Sequence, residues 1–276
     1  MTSSAAEPLR FSFYDTGSLS VAAYDLIEDT VRNYGEDAAF YLDLCRGVKG
    51  AALDLGTGTG RVAWALADAG CEVVGLDLSQ AMLDRAEAKR AGRPPEILAR
   101  CRFVQGDMAA FELGRTFARI LIPFRSFNHL TTPEQQIACL RAVRRHLAPG
   151  GVAVAHLFML DRPDQIDSAE TVDRPHLRVR AAGTDRMIHW QVLSRRVDLL
   201  EQVLEQEVSY TWRVVDGPVL RQDLESFRIG WIGRREMAHL AARCGLRVTA
   251  EYADFAGSPP RLDADHVVVL ERDEAA

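Results

Sequence analysis

Residues 50–157 alternate short apolar runs with segments of helical periodicity, and this alternation limits the available folds more than any other feature of the chain. Arg61–Ala69, for example, places its apolar residues on one helical face, and Gly70 ends that helix. Alternating strands and helices predict a mostly parallel sheet with helices on both faces. Two further apolar runs near the C-terminus bring the predicted sheet to seven strands. The predicted strands are Ala51–Leu55, Glu72–Leu76, Arg102–Gln105, Ala118–Ile122, Val152–Leu157, Leu246–Ala253 and His266–Leu270.

The alternation stops between residues 161 and 232, where long stretches rich in Val, Leu, Arg and Glu follow one another. Asp216-Gly217-Pro218 is a tight-turn signal between two of these stretches, so we predict an inserted antiparallel sheet. Ahead of the core, Ala22–Ile27 begins an amphipathic helix. The predicted segments are an N-terminal helical cap (1–49), a core (50–160), the inserted sheet (161–232) and the final helix and strands of the core (233–276).

The composition narrows the class of protein. Hydrophobic residues make up 47% of the chain and the formal net charge is -6, values that fit a globular protein and disfavour a nucleic-acid partner. No apolar run approaches the ~20 residues of a membrane span, and Met1–Glu7 lacks a signal-peptide pattern. We therefore expect a cytoplasmic protein without a membrane partner. The five cysteines are scattered and form no CxxC pair, so we expect neither a metal site nor a disulfide framework.

A glycine-rich loop, Asp54–Gly60, lies between the first predicted strand and the helix that follows it. Glycines at such a turn let the backbone approach a ligand closely. The spacing is GxGxG, and Arg61 occupies the position that would complete the GxGxxG pattern of dinucleotide folds. Asp54 places a carboxylate ahead of the glycines, where it would repel a pyrophosphate and suit an ammonium group. Asp77 ends the second strand, and a carboxylate about 20 positions after the first can accept hydrogen bonds from ribose hydroxyls.

Together these residues resemble the donor-binding motifs of class I S-adenosylmethionine-dependent methyltransferases. The resemblance extends through Gly106-Asp107-Met108 after the third strand and Ile120–Phe124 at the fourth, and it covers roughly Ala51–Leu157. It implies a Rossmann-like fold and S-adenosyl-L-methionine as the cofactor. It also implies that the loop glycines border the amino-acid portion of the donor through their backbone.

The resemblance assigns roles to individual residues, and for several of them a structural role stays open. Asp77 would hold the ribose, or would be a strand-end carboxylate that caps Ser79. Arg61 would pair with the donor carboxylate, or would be a solvated helix residue. Met82 would pack on the adenine or in the core, and Tyr24, in an N-terminal helical lid, would reach the donor or be an ordinary buried tyrosine. The implied donor contacts are Tyr24, Asp54, Gly56, Thr57, Gly58, Gly60, Arg61, Asp77, Leu78, Met82, Gly106, Asp107, Met108 and Ile122.

The acceptor pocket is expected outside the carboxyl ends of the strands. His129 follows the fourth strand and is the first candidate for a general base, and His156 at the end of the fifth strand is the second. Either side chain would otherwise be a structural histidine, and Tyr24 is the other catalytic candidate. The segment Ile122-Pro123-Phe124-Arg125 lacks the Asn/Asp-Pro-Pro-Tyr signature of enzymes that methylate nucleic-acid amino groups. We predict in-line methyl transfer to a nitrogen or oxygen of a small molecule, mainly through positioning and desolvation.

Other functions remain open at this point. One is a non-catalytic regulatory protein that binds S-adenosylmethionine or S-adenosylhomocysteine, and another is a methyltransferase that acts on a protein side chain. A nicotinamide-dependent oxidoreductase would need the missing third glycine. The long strands of the inserted sheet leave edges that are usually paired or covered, which predicts a homodimer through that sheet.

Overall fold

The computed structural model describes residues 8–31, 35–160, 176–262 and 264–274. The chain divides into two compact units. The core unit comprises Tyr34–Asp161 and Ile229–Ala276, and the insert unit comprises Met1–Asn33 and Arg162–Arg228. Residues 1–49, which we predicted as one N-terminal cap, are therefore shared between the units, and residues 161–175 of the predicted insertion lie outside the described residues. Within the described ranges, no helix is long and apolar enough to cross a membrane.

The elements are numbered in chain order. The strands are β1 (Leu9–Ser12), β2 (Ala52–Leu55), β3 (Val73–Asp77), β4 (Cys101–Gln105), β5 (Phe117–Ile122), β6 (Leu147–Leu157), β7 (His176–Arg180), β8 (Arg186–Asp198), β9 (Val203–Val214), β10 (Val219–Gly230), β11 (Leu246–Tyr252) and β12 (His266–Arg272). The α-helices are α1 (Leu19–Ala22), α2 (Tyr24–Val31), α3 (Gly35–Cys45), α4 (Arg61–Asp68), α5 (Gln80–Ala88), α6 (Pro95–Leu98), α7 (Pro133–His146) and α8 (Arg234–Arg243), and a short 3-10 helix spans Ser126–His129.

Seven strands form the sheet of the core unit, in the order β11-β12-β6-β5-β2-β3-β4. The pairs from β6 to β4 are parallel, whereas β12 runs antiparallel to β6 and β11, which confirms the predicted mostly parallel sheet. The carboxyl ends of β2 to β6 therefore meet at one edge, the usual place for a ligand in such a sheet. β6 begins at Leu147, earlier than the predicted start at Val152, because Leu147 pairs with Phe117 of β5.

Helices cover both faces of the core sheet, because alternate strand residues point to opposite sides. Leu55 belongs to an apolar cluster that includes Leu140 of α7. Its near neighbour Ala52 belongs to the opposite cluster, with Tyr41 of α3 and Trp64 of α4. Full burial of a large apolar side chain stabilises a fold by about 1.5–3 kcal/mol, so the two clusters fix the strands and hence the edge at which they end.

Two helices begin at caps that the sequence indicates. Thr132 and Gln135 form a capping box at the start of α7, with both hydrogen bonds at 3.3 Å. At the start of α5, the Ser79 hydroxyl accepts a hydrogen bond from the Met82 backbone N–H at 3.2 Å. Such caps contribute about 1 kcal/mol each. The cap of α5 comes two residues after Asp77, so it also fixes the chain direction at the end of β3.

The insert unit is built on a five-stranded sheet of order β1-β10-β9-β8-β7. β7, β8 and β9 are antiparallel neighbours, and the Val214 N–H donates to the Pro218 carbonyl at 3.1 Å in the turn that joins β9 to β10, which confirms the inserted sheet. β1 pairs in parallel with β10, which the sequence analysis did not expect. This strand is only four residues long and mostly exposed, although Leu9, Arg10, Phe11 and Ser12 do alternate between apolar and polar. On one face of the sheet, Leu19 and Ala23 join a buried cluster with Ile188.

Candidate functional site

The glycine-rich loop turns sharply between β2 and α4. Gly56, Gly58 and Gly60 have positive φ angles of 72°, 56° and 77°. The Gly56 N–H donates to the Leu76 carbonyl at 2.8 Å, which ties the loop to the end of β3. A Cβ atom on Gly56 would lie 2.5 Å from the Ser126 hydroxyl oxygen, so no side chain fits there. The loop therefore exposes backbone at the carboxyl edge of the sheet, as the sequence predicts.

Asp77 holds the other side of this loop. One carboxylate oxygen accepts a hydrogen bond from the Gly58 N–H at 2.7 Å, and the other accepts from the Ser79 N–H at 2.9 Å. Burial raises the pKa of Asp77, and these two backbone N–H groups oppose that shift. The contact to Ser79 that we weighed as an alternative is thus present, together with a contact to the loop. Binding of a ribose by Asp77 stays a prediction.

Asp54 lies at the end of β2 and is fully buried. Its Oδ2 accepts a hydrogen bond from the Thr57 hydroxyl at 2.6 Å, while Oδ1 has no hydrogen-bonding partner among the described residues. Burial raises the pKa of Asp54 from 3.8 to about 6, although the Thr57 hydroxyl and the charge of Arg61 oppose the shift. A buried carboxylate oxygen without a partner is costly, which suits a site that receives a polar or cationic group.

Arg61, the first residue of α4, is engaged by a carboxylate of α3. Its guanidinium donates to both oxygens of Asp37, at 2.9 and 2.5 Å. The same group lies 6.0 Å from the centre of the Phe124 ring. Arg61 is therefore not the freely solvated residue of our alternative interpretation, because Asp37 fixes the orientation of its planar head.

The candidate adenine contacts lie after β3 and β4 and differ in exposure. Leu78 is 70% exposed, whereas Met82 is 2% exposed and belongs to the core. Asp107 is exposed and accepts a hydrogen bond from the Ala109 N–H at 2.8 Å. Gly106 donates through its N–H to the Asp77 carbonyl at 2.9 Å, which brings the segment after β4 beside β3. Of these side chains, Leu78 offers the largest free apolar surface to a ring.

The segment after β5 makes a strained corner. Phe124 and Arg125 have positive φ angles of 59° and 64°, in the left-handed region that residues other than glycine seldom adopt. The 3-10 helix that follows ends at His129. The His129 side chain is accessible to solvent, and the protein around it lowers its pKa from 6.5 by desolvating the imidazolium. Ile122, the last residue of β5, is 1% exposed and its side chain packs in the core.

His156, at the carboxyl end of β6, is nearly buried and bound to a carboxylate. Its Nε2 lies 2.8 Å from Oδ2 of Asp265, and Arg125 donates to both oxygens of the same Asp265 at 2.7 Å. Burial alone would raise the pKa of Asp265, but the hydrogen bond with His156 and the charge of Arg125 hold it at about 2. His156 is thus tied into an ionic network, which supports the structural role that we weighed for it.

Comparison with known proteins decides the family. A family model described as a methyltransferase domain matches residues 52–151. The chain is 30% identical over 266 residues to the cypemycin N-terminal methyltransferase of a Streptomyces species, covering 95% of this chain and 98% of that protein. The chain belongs to the class I S-adenosylmethionine-dependent methyltransferases.

Solved structures agree with this assignment. The CcbJ methyltransferase from Streptomyces caelestis is 26% identical to this methyltransferase, with a TM-score of 0.71 and coverage of 95% of this chain and 98% of that one. CalS10, an amino pentose methyltransferase from Micromonospora echinaspora solved with S-adenosylmethionine bound, has a TM-score of 0.68 at 24% identity and coverage of 97% and 100%. The similarity to CalS10 shows that the two proteins share a fold.

S-adenosyl-L-methionine is the methyl donor of this methyltransferase, and the residues present fit it. The loop exposes backbone, and among the described residues a Cβ on Gly58 would meet only the Met82 methyl group, at 3.5 Å. Within the part of the chain that the structure describes, Asp54 Oδ1 is buried without a hydrogen-bonding partner, and Leu78 offers an exposed apolar surface next to Asp77. The core unit thus brings most of the predicted donor contacts to one edge of its sheet. These are Asp54, Gly56, Thr57, Gly58, Gly60, Arg61, Asp77, Leu78, Gly106, Asp107 and Met108.

The predicted lid residue belongs to the other unit of the methyltransferase. Tyr24 begins α2, and its ring meets the ring of Tyr14 edge to face, with centroids 5.5 Å apart. Contact between Tyr24 and the donor stays a prediction. Sequence reasoning missed Asp37 and Asp265, because each acts on an arginine far away in the chain and neither stands in a local motif.

Proposed function

We propose that this methyltransferase transfers a methyl group to an amine nitrogen of a small molecule or of a peptide, and that His129 accepts the proton which the amine must lose. The names of its relatives support a nitrogen acceptor. One is a peptide N-terminal methyltransferase, and another, 32% identical over 126 residues, is a dTDP-amino-sugar N,N-dimethyltransferase from Streptomyces venezuelae. The first name specifies an N-terminus and the second the nitrogen of an amino sugar, so an aliphatic amine is the acceptor class that we propose here.

The position and ionisation of His129 are the observation that carries the proposal. The residue follows β5, at the edge where the donor residues of the core unit gather, and its ring is accessible. Because its pKa is lowered, the imidazole is neutral at neutral pH and has a lone pair with which to take a proton. An aliphatic amine is mostly protonated at that pH and cannot attack until it loses one proton. A positioned base of this kind contributes roughly 10²–10⁴-fold to a rate.

Little other covalent chemistry is needed from the protein. When bound, S-adenosylmethionine supplies a sulfonium-activated methyl group. The chain then has to hold both reactants in line and exclude water, and good positioning can contribute ~7–11 kcal/mol. The glycine loop, Asp77 and the corner after β5 are the rigid parts of this edge, because each is tied by several hydrogen bonds.

Methylation of a defined acceptor panel tests the proposal. The protein is incubated with trideuteromethyl donor and four acceptors: a nucleotide amino sugar, a short peptide with a free N-terminus, the same peptide acetylated, and a catechol. Mass spectrometry should find the label on the amino sugar or on the free peptide, and none on the acetylated peptide. Label on the catechol alone would overturn the nitrogen acceptor, and donor binding without transfer to any acceptor would favour the regulatory function.

Two finer proposals concern the insert unit. We propose that Tyr24 contacts the donor, so Tyr24→Phe should weaken donor affinity in calorimetry, whereas Tyr252→Phe on β11 should not. We also propose that the edges of the insert sheet support a homodimer. Sedimentation velocity at micromolar concentration tests this second proposal, and a monomer would reject it.

A further inference from the structure

The corner after β5 stores backbone strain at the edge where the donor residues gather. Phe124 and Arg125 both adopt left-handed backbone angles, with φ of 59° and 64°. Each such residue costs of order 1–3 kcal/mol unless the surroundings fix it. Two in succession therefore require strong contacts, and strained residues of this kind tend to occur at functional sites.

Asp265 and His156 supply those contacts. The Arg125 N–H donates to the His156 carbonyl at 3.1 Å, and the Arg125 Nη2 lies 2.7 Å from each oxygen of Asp265. His156, itself 5% exposed, lies 2.8 Å from the same carboxylate through its Nε2. Asp265 thus binds the Arg125 side chain directly, and it also binds the ring of His156, whose carbonyl accepts the Arg125 backbone N–H. Paired, hydrogen-bonded charges of this type hold geometry more firmly than single contacts.

The corner in turn sets the position of the residues after it. Arg125 caps the 3-10 helix Ser126–His129. The Ser126 hydroxyl donates to the Pro123 carbonyl at 2.8 Å and lies 3.4 Å from the Gly56 carbonyl of the donor loop. The direction of the chain at Arg125 therefore decides where His129 stands relative to the glycine loop.

We propose that Asp265 is a positioning residue of the transfer reaction, which clamps the Phe124–Arg125 corner through Arg125 and His156 and thereby holds His129 in place. The inference rests on the proposed role of His129 as proton acceptor. Asp265 does not touch the reacting atoms in this scheme. Its contribution is to keep a strained backbone from relaxing, which would move the base by a fraction of an ångström or more.

A purely structural role is the competing explanation, and two carboxylates at opposite ends of β12 separate the two: Asp265, which immediately precedes the strand, and Glu271 within it. Glu271 lies near the far end of β12 and, like Asp265, binds an arginine, with Arg247 Nη2 at 2.6 Å. Asp265→Ala and Glu271→Ala each remove one arginine–carboxylate pair from the end regions of β12. Only the first removes the clamp.

The experiment measures kcat, donor affinity and the titration of the His129 imidazole by NMR, with His129→Gln to assign the signal. For Asp265→Ala we expect kcat to fall roughly tenfold to a hundredfold, with donor affinity changed by less than about twofold. The pKa of His129 should rise toward the ordinary value of about 6.5 as the histidine leaves its desolvated position. Glu271→Ala should change none of these three quantities. Arg125→Lys keeps the charge but loses the planar guanidinium, so its kcat should lie between those of the wild type and Asp265→Ala.

The proposal is overturned if folded Asp265→Ala keeps both the wild-type kcat and the wild-type His129 titration. It is also overturned if donor affinity and kcat fall in equal proportion, since that pattern indicates general disruption of the site. Asp265→Asn replaces the alanine variant if the latter does not fold. The NMR titration needs no acceptor, so it tests the clamp even if no amine is methylated and the proposed function fails.

Discussion

Arg61 and Asp37 form a two-point ion pair in which Nη1–Oδ1 and Nη2–Oδ2 are 2.9 and 2.5 Å apart. Asp37 is 5% exposed, so its carboxylate has little water to solvate it and relies on this partner. The pair joins α3 to the first residue of α4, directly after the glycine loop. A residue that we expected to serve the donor is therefore also part of the framework that positions the loop.

Replacing Arg61 with Ala should lower the free energy of unfolding by about 2–4 kcal/mol, because it leaves the buried Asp37 carboxylate unpaired. This loss of stability is near the lower end of the range for breaking a buried ion pair, because the Arg61 side chain is 29% exposed. Urea denaturation measures this change. The double variant Asp37→Ala/Arg61→Ala should be less destabilised than the sum of the two single variants. Simple additivity would show that the two residues act independently.

Gly56→Ala should weaken donor binding and lower the melting temperature. An alanine at φ 72° costs roughly 1–2 kcal/mol in backbone strain, and its Cβ would lie 2.5 Å from the Ser126 hydroxyl oxygen. Gly92→Ala is the matched control, since Gly92 has φ of 82° and open space around its Cβ position. Calorimetric donor titration should separate the two variants. Equal affinities in both would mean that the contact with Ser126 has no part in donor binding.

Asp54→Asn should remove a pH dependence of stability. In the native protein the pKa of Asp54 is raised to about 6 by burial, so the folded state holds a proton that the unfolded state releases near 3.8. The contribution of Asp54 to the free energy of unfolding is therefore largest below about pH 4 and is lost as the pH rises through about 6, a total of about 3 kcal/mol. The difference in unfolding free energy between variant and wild type, measured across this range, isolates the effect. A constant difference would contradict it.

His129→Gln should lower turnover at least about tenfold without changing donor affinity, because glutamine cannot accept the proton. In the wild type, kcat/KM should fall as the pH drops through the lowered pKa of His129, below 6.5, where the imidazole becomes charged. The variant should lack this acid limb. His239→Gln on α8, an exposed position, serves as the control. Near-normal turnover of His129→Gln would remove the residue from the mechanism.

The core sheet could be predicted closely because its signals are local. The predicted Glu72–Leu76 corresponds to β3 at Val73–Asp77, and Arg102–Gln105 corresponds to β4 at Cys101–Gln105. Short apolar runs, glycine stops and the capping box at Thr132 each depend on a few neighbouring residues. α6 was not predicted, because a helix of only four residues that begins at Pro95 is too short to show helical periodicity.

The site was predictable only where its residues form one continuous motif. The glycine loop and Asp77 could be found because their spacing along the chain reflects one strand–turn–helix unit. Asp265 reaches Arg125 across 140 residues, and nothing in the sequence around either residue indicates the other. The left-handed backbone at Phe124 could not be predicted from the sequence either, because such angles at residues other than glycine result from tertiary contacts rather than from local preference.

The pairing of β1 with β10 has a consequence for the order in which the protein forms during synthesis. Leu9–Ser12 leave the ribosome before their register partners, Asp223–Ser226, which emerge only after the whole of β2 to β9. Most of the core strands meet their neighbours as soon as each βα unit is complete. Among the described strands, β1 is thus one of the last to find its place, and a chain interrupted before residue 226 would carry a donor loop but an insert sheet open at one edge.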